Sequence, residues 1–165
     1  MIRSIIFFVS FLFLVTFSHA QKAVEGFQWY HPEADAKAEI AKAVKQAKKE
    51  HKHVILQVGG NWCIWCKRLH NLMDSNATVH NYLDSNFILV PVNYSKENKN
   101  LEVLKTLGYP QRFGYPVLVV LDEKGNRLHT QNSGYLEEGK RHSPAKVLEF
   151  LKHWSPAALD PKNYK

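Results

Sequence analysis

The chain has 165 residues and a formal net charge of +7 at pH 7, from 22 Lys and Arg against 15 Asp and Glu. Much of the basic excess lies in lysines at positions 37–52 and in the C-terminal tail, with no arginine-rich stripe. This pattern argues against a nucleic-acid-binding protein, whose basic residues cluster on one face. Only two cysteines occur, too few for a secreted scaffold that is held together by disulfides.

Residues 1–20 have the pattern of a cleavable secretory signal peptide. Arg3 is their single charged residue, an apolar run follows at 5–17, and Ser18-His19-Ala20 supplies a small-x-small exit. The alternative is an uncleaved membrane anchor, but the apolar run is shorter than the roughly 20 residues that a spanning helix needs. We therefore predict an exported protein, periplasmic or extracellular, with no membrane insertion after the signal is cleaved.

The rest of the chain predicts one domain over residues 21–154 and a polar C-terminal tail over 155–165. The aromatic segment 26–30 is either a strand or an edge that lies on the core. Hydrophobic periodicity and capping residues then predict, in chain order, a helix at 33–50, a strand at 54–58, a helix that begins at the cysteine pair, a helix at 77–84, a strand at 87–94, a helix at 99–107, strands at 117–122 and 127–131, and a last helix after Ser143-Pro144. Strands joined by helices tend to run parallel and a hairpin adds an antiparallel neighbour, so we expect an α/β fold with a mixed sheet flanked by helices.

The two cysteines, Cys63 and Cys66, stand where the strand at 54–58 leads into a helix. Free backbone N–H groups and the helix dipole favour a thiolate at this place and can lower a cysteine pKa from about 8.5 to roughly 3.5–7.5. Cys63 is therefore the expected exposed nucleophile. Cys66 lies one turn further in, deeper and less ionised, and close enough to form a disulfide with Cys63 as the resolving thiol.

The run Trp62-Cys63-Ile64-Trp65-Cys66-Lys67 and the later Tyr115-Pro116 resemble the thioredoxin superfamily over residues 37–154. The chain is similar to the exported thioredoxin-like proteins that carry a WCxWCK motif. The resemblance implies a thioredoxin-like three-layer fold, a Cys63–Cys66 redox disulfide, and a cis proline that faces the pair and binds substrate peptide through the preceding backbone. It also implies roles for the surrounding residues: substrate binding by Trp62, Ile64, Trp65, Tyr115 and Pro116, and supporting positions for Lys67 and Gln57.

Two departures from the thioredoxin pattern bear on the chemistry. Gln57 stands where thioredoxins proper keep a buried carboxylate that helps to deprotonate the second cysteine, and an amide cannot act as a base. The dipeptide between the cysteines, which tunes the reduction potential in this family, is Ile64-Trp65 instead of Gly-Pro. Reductase, oxidase and isomerase activities therefore all stay open.

We expect an exported thiol-disulfide oxidoreductase that exchanges disulfides with protein disulfide or thiol substrates, with a possible membrane electron donor and without a cofactor or metal. The first alternative is a non-catalytic interaction or redox-sensing module on the same fold. The second is a copper or zinc chaperone in which the cysteine pair is half of a metal site. No further cysteine exists to complete such a site, and the nearest histidine, His70, is expected to face solvent.

Overall fold

A computed structural model of the protein describes residues 24–165. The predicted signal peptide at 1–20 lies outside these residues. The helices and strands are α1 (Ala36–Glu50), β1 (His53–Gly59), α2 (Ile64–Ser75), α3 (Ala77–Asn86), β2 (Phe87–Asn93), α4 (Leu101–Thr106), β3 (Val117–Leu121), β4 (Arg127–Asn132), β5 (Glu137–Glu138), β6 (Arg141–His142) and α5 (Pro144–His153). None of the helices in this part of the chain is long and apolar enough to cross a bilayer.

The predicted mixed sheet is confirmed, with strand order β2-β1-β3-β4. β1 runs parallel to β2, with Ile55 opposite Leu89, and antiparallel to β3, which pairs antiparallel with β4. A separate pair of two-residue strands, β5 and β6, was not predicted. The protein has the expected thioredoxin-like α/β fold.

The two faces of the sheet are covered by different helices. One face of β1, with Val54, Leu56 and Val58, packs with buried alanines of α1 and with Leu104 of α4. The other face, which carries Ile55, packs with α2, α3 and α5. Side chains alternate along a strand, so Gln57 shares the face of Ile55 and lies beneath α2.

The helix predicted at 33–50 begins instead at Ala36. Asp35 is its N-cap, and the Asp35 side chain accepts the Ala38 N–H at 3.0 Å. A capping carboxylate satisfies one of the N–H groups that have no partner within a helix, which fixes the start of α1.

The aromatic segment at 26–30 pairs with no strand of the sheet. Residues 24–30, which we call the N-terminal strap, cross the beginning of α2, and Phe27 and Tyr30 are buried there beside the cysteines. Of the two sequence alternatives, the structure therefore has an edge that lies on the core.

The C-terminal segment 155–165 contains two short 3-10 helices, Ala157–Leu159 and Pro161–Tyr164. The boundaries of the domain at 21–154 and of the polar tail stay predictions.

Candidate active site

The cysteine pair lies between the end of β1 and the first turn of α2. Cys63 is the N-cap of α2, and its Sγ accepts the backbone N–H of Cys66 at 3.1 Å. The two cysteines form a disulfide, with a Cα–Cα distance of 5.2 Å. Cys63 is 5% exposed and Cys66 is 0% exposed, so Cys66 is the deeper of the two as expected. Cys63, however, is far less exposed in this disulfide than the sequence led us to expect.

The position of Cys63 has a direct electrostatic consequence. A helix N-terminus carries partial positive charge on N–H groups that have no partner within the helix. The Cys66 N–H already points at Cys63 Sγ, so the same donor stabilises the Cys63 thiolate when the disulfide opens. This is the environment that lowers a cysteine pKa.

Aromatic side chains form one wall of the site. The Trp62 ring meets Tyr115 edge-on at a centroid distance of 5.4 Å, and Tyr115 packs against Tyr94 at 4.9 Å. Trp62 Nε1 donates to the Tyr94 carbonyl oxygen at 2.7 Å. Burial, and second the hydrogen bond with Tyr94, raise the pKa of Tyr115. The Tyr115–Pro116 peptide is cis and Pro116 is buried at the start of β3.

The two residues between the cysteines differ in their surroundings. Ile64 is 43% exposed, whereas Trp65 lies between Arg68, 4.7 Å above its ring, and His142, edge-on at 5.5 Å. Lys67 Nζ donates to the Glu25 carbonyl oxygen at 2.7 Å. The structure thus places Ile64 on the surface beside the disulfide and joins Lys67 to the N-terminal strap.

Gln57 and Tyr30 lie on the buried side of the disulfide. Both are almost completely inaccessible, at 0% and 2% exposure. Gln57 Nε2 donates to the Tyr30 hydroxyl oxygen at 2.9 Å and to the Cys66 carbonyl oxygen at 3.2 Å. Burial raises the pKa of Tyr30, an effect that its hydrogen bond with Gln57 only partly offsets.

Sequence reasoning missed Tyr30, and it also missed Asn61, which holds the strap in place. Asn61 Oδ1 accepts the backbone N–H groups of Trp29 at 3.1 Å and Tyr30 at 2.9 Å, and its Nδ2 donates to the Tyr30 carbonyl oxygen at 2.8 Å. The Val24 N–H donates in turn to the Asn61 carbonyl oxygen at 2.6 Å. The aromatic residues at 26–30 indicated that this segment packs on the core. The sequence around them did not identify Asn61 as the residue that binds them.

Two histidines near the site have lowered pKa values. Burial, and second the charge of Arg68, lower the pKa of His142 to about 4. His70 stacks on Trp29 at a centroid distance of 4.3 Å, so it does not simply face solvent as expected. Burial lowers the pKa of His70, and the charge of Asp74 opposes that shift.

Metal binding at the cysteine pair would need further protein ligands. Among residues 24–165, no group of three or more His, Cys, Asp or Glu side chains is placed to hold a metal ion.

Comparison with known proteins agrees with this geometry. A family profile described as "Thioredoxin-like domain" matches residues 40–150. The chain is similar to a structure titled as the disulphide isomerase from Xylella fastidiosa Temecula1, with 28% identity and a TM-score of 0.67 over 74% of this chain and 93% of that chain. The C-terminal domain of DsbD from Neisseria meningitidis in its oxidised form is 25% identical, with a TM-score of 0.53 over 73% of this chain and 97% of that chain. The reduced form of that domain is 26% identical, with a TM-score of 0.52 over 72% and 96%. No curated protein sequence matches the chain.

Proposed function

Because the chain belongs to the thioredoxin-like domain family, we propose that it is a thiol-disulfide oxidoreductase that exchanges disulfides with protein substrates. The observation that carries this proposal is the Cys63–Cys66 disulfide at the N-terminus of α2, where Cys63 Sγ receives a backbone N–H. A structural disulfide needs no such donor, whereas a sulfur that must leave and attack as a thiolate is stabilised by one.

In the reducing direction, the Cys63 thiolate attacks one sulfur of a substrate disulfide. A mixed disulfide forms, and the other substrate sulfur leaves as a thiolate and takes up a proton. The Cys66 thiol then gives up its proton and attacks Cys63 Sγ, which forms the Cys63–Cys66 disulfide and releases the second substrate sulfur. Two electrons pass to the substrate, and the reverse sequence oxidises it.

The residues around the disulfide suit the binding of an extended peptide. Ile64 offers exposed apolar surface next to Cys63, and Trp62 and Tyr115 form an aromatic wall. With Trp65 and the backbone before Pro116, they are the proposed substrate-binding residues.

Substrates and compartment are also part of the proposal. A similar structure is titled a disulphide isomerase, which supports protein disulfides or thiols as substrates. The signal-peptide pattern of residues 1–20 supports export. In an oxidising compartment a reductase needs electrons from elsewhere, and a membrane thiol donor is the proposed source.

Reduction of insulin by the protein, with dithiothreitol as the electron source, tests the activity. Cys63→Ser should abolish the catalysed reduction because the attacking sulfur is gone. Cys66→Ser that is first reduced and then freed of dithiothreitol should instead accumulate a mixed disulfide with insulin, visible as a covalent adduct on non-reducing electrophoresis. Equal rates for the wild type and Cys63→Ser would refute the proposal.

A non-catalytic redox-sensing or interaction module is the second candidate, favoured by the 5% exposure of Cys63 and by Gln57 in place of a base. The reduction potential separates the two functions. A structural disulfide typically lies below about −300 mV, whereas an exchanging pair is poised near its compartment.

A further inference from the structure

A buried phenol lies next to the resolving cysteine. Tyr30 enters the core from the N-terminal strap, and its hydroxyl oxygen accepts a hydrogen bond from Gln57 Nε2. Among residues 24–165 this is the one hydrogen bond of the Tyr30 side chain. Within the part of the chain that the structure describes, the phenol O–H therefore has no acceptor in the oxidised state.

The direction of the Tyr30–Gln57 hydrogen bond follows from a third group. The Cys66 carbonyl oxygen lies 3.2 Å from the same Gln57 nitrogen, and a carbonyl can only accept. The amide must therefore face this pair with its nitrogen, so Tyr30 accepts from it and keeps its own proton. The other amide atom, Gln57 Oε1, is buried without a partner within the described chain.

Gly59 lies against both the phenol and the sulfur. A Cβ atom on Gly59 would lie 2.4 Å from Cys66 Sγ and 2.8 Å from the Tyr30 hydroxyl oxygen. Both atoms thus border one small space that only a glycine leaves open. Reduction of the disulfide frees Cys66 Sγ to turn about its Cα–Cβ bond within this space.

We propose that Tyr30, held by Gln57, donates a hydrogen bond to the Cys66 thiolate and so replaces the carboxylate that this site lacks. The inference rests on the proposed thiol-disulfide exchange and names the group that assists its second step.

Resolution of the mixed disulfide by Cys66 requires no proton transfer from the phenol. The Cys66 thiol loses its proton to solvent, the thiolate is stabilised by the Tyr30 O–H, and it attacks Cys63 Sγ of the mixed disulfide. The Cys63–Cys66 bond forms, the bond from Cys63 to the substrate breaks, and the departing substrate thiolate takes up a proton. In the reverse direction the same O–H stabilises Cys66 as the leaving group.

Two further observations fit this role. Asn61 fixes both the N–H and the carbonyl group of Tyr30, so the phenol enters the core from an anchored backbone. Burial raises the pKa of Tyr30, which favours the protonated hydroxyl that this role requires.

The test is the pKa of Cys66, measured by thiolate absorbance in a Cys63→Ser background where Cys66 is the single cysteine. Adding Tyr30→Phe should raise the Cys66 pKa by about one unit or more, the size expected for a lost hydrogen bond to a charged group. Adding Tyr135→Phe, at a phenol that is 77% exposed, should leave it unchanged. A Cys66 pKa that is equal in all three proteins overturns the inference, even if Tyr30→Phe lowers stability.

Resolution of the mixed disulfide gives a second readout. With Cys63 intact, Tyr30→Phe should release substrate at least about tenfold more slowly near neutral pH, and the rate should recover as the pH rises. A rate that falls equally at every pH contradicts the inference.

Gln57→Met provides a second test of the Tyr30–Cys66 hydrogen bond if Tyr30→Phe does not fold. Methionine has a similar length and removes both the buried partnerless oxygen and the anchor of Tyr30. The Cys66 pKa should rise above that of the protein with Cys63→Ser alone, and an unchanged or lower value counts against the inference. Because this titration needs no substrate, it remains decisive if the wild type proves unable to reduce insulin, an outcome that refutes the proposed function alone.

Discussion

The two sulfurs of one disulfide lie in contrasting surroundings. Cys63 Sγ receives a backbone N–H from its own helix and lies beside the exposed Ile64. Cys66 is fully buried and lies against a phenol and an amide from other parts of the chain. The surroundings of Cys63 therefore come from its own helix, whereas those of Cys66 depend on tertiary packing.

Gly59→Ala should have the largest effect, because the new Cβ would meet Cys66 Sγ at 2.4 Å and the Tyr30 hydroxyl at 2.8 Å. Overpacking in a rigid part of the core should lower the free energy of unfolding by about 3 kcal/mol, as measured by chemical denaturation. Gly134→Ala is the control, because its Cβ would meet only the Asn132 side chain, at 3.1 Å. A Gly59→Ala protein as stable as this control would show that the space beside Cys66 Sγ and the Tyr30 hydroxyl accommodates a methyl group.

Asn61→Ala should be the next most damaging change. It leaves the N–H groups of Trp29 and Tyr30 and the Tyr30 carbonyl without their partner, at a cost of about 2 kcal/mol in the free energy of unfolding. Asn61→Asp keeps an acceptor for both N–H groups but turns a carboxylate oxygen towards the Tyr30 carbonyl in place of the donor, so denaturation should show a smaller loss than in Asn61→Ala. Equal losses in the two variants would mean that the acceptor does not hold the strap.

Trp62→Phe addresses the exposed side. It keeps an aromatic ring against Tyr115 but loses the Nε1 donor to the Tyr94 carbonyl, so the free energy of unfolding should fall by about 1 kcal/mol. Insulin reduction should slow as well, because Trp62 belongs to the proposed peptide-binding wall. Trp154→Phe, on the His129 stack at the far side of the fold, should leave insulin reduction unchanged. If both variants reduce insulin at the wild-type rate, Trp62 has no part in substrate binding.

His142→Phe should have the smallest effect at pH 7 and a clear one in acid. Burial lowers the pKa of His142 to about 4 in the folded protein, against about 6.5 for an unperturbed histidine. Its contribution to stability is therefore present above pH 6.5 and is lost as the pH falls towards 4, because the unfolded chain takes up the proton first. Thermal denaturation between these pH values should show a weaker pH dependence in His142→Phe, and an unchanged dependence would contradict the prediction.

Much of the fold follows from local patterns in the sequence. The nearly continuous apolar run of β1 predicts a strand buried on both faces, and Ser143-Pro144 predicts the N-cap and first residue of α5. β5 and β6 could not be predicted, because two residues are too few to show the alternation of apolar and polar side chains that marks a strand.

The candidate site also has features that local sequence predicts and features that depend on distant residues. The place of Cys63 at a helix N-terminus depends on neighbours in sequence, so it could be predicted. The contact of Tyr30 with Gln57 joins residues 27 positions apart and that of Trp29 with Asn61 joins residues 32 apart, which no periodicity reveals. Gln57 is the one polar residue within the apolar run of β1. Because a buried amide requires a hydrogen-bond partner, this residue indicated that a polar group such as the Tyr30 hydroxyl lies against it.

The N-terminal strap makes local opening at the cysteine pair distinct from unfolding of the whole domain. Residues 24–30 pack over Cys63 and Cys66 without joining the sheet, so their detachment would break no strand pairing. Segments of this kind exchange their amide hydrogens through local opening, at a lower free energy than global unfolding. We therefore expect a bulky thiol reagent to reach reduced Cys66 at a rate set by the opening of the strap and not by the unfolding of the domain.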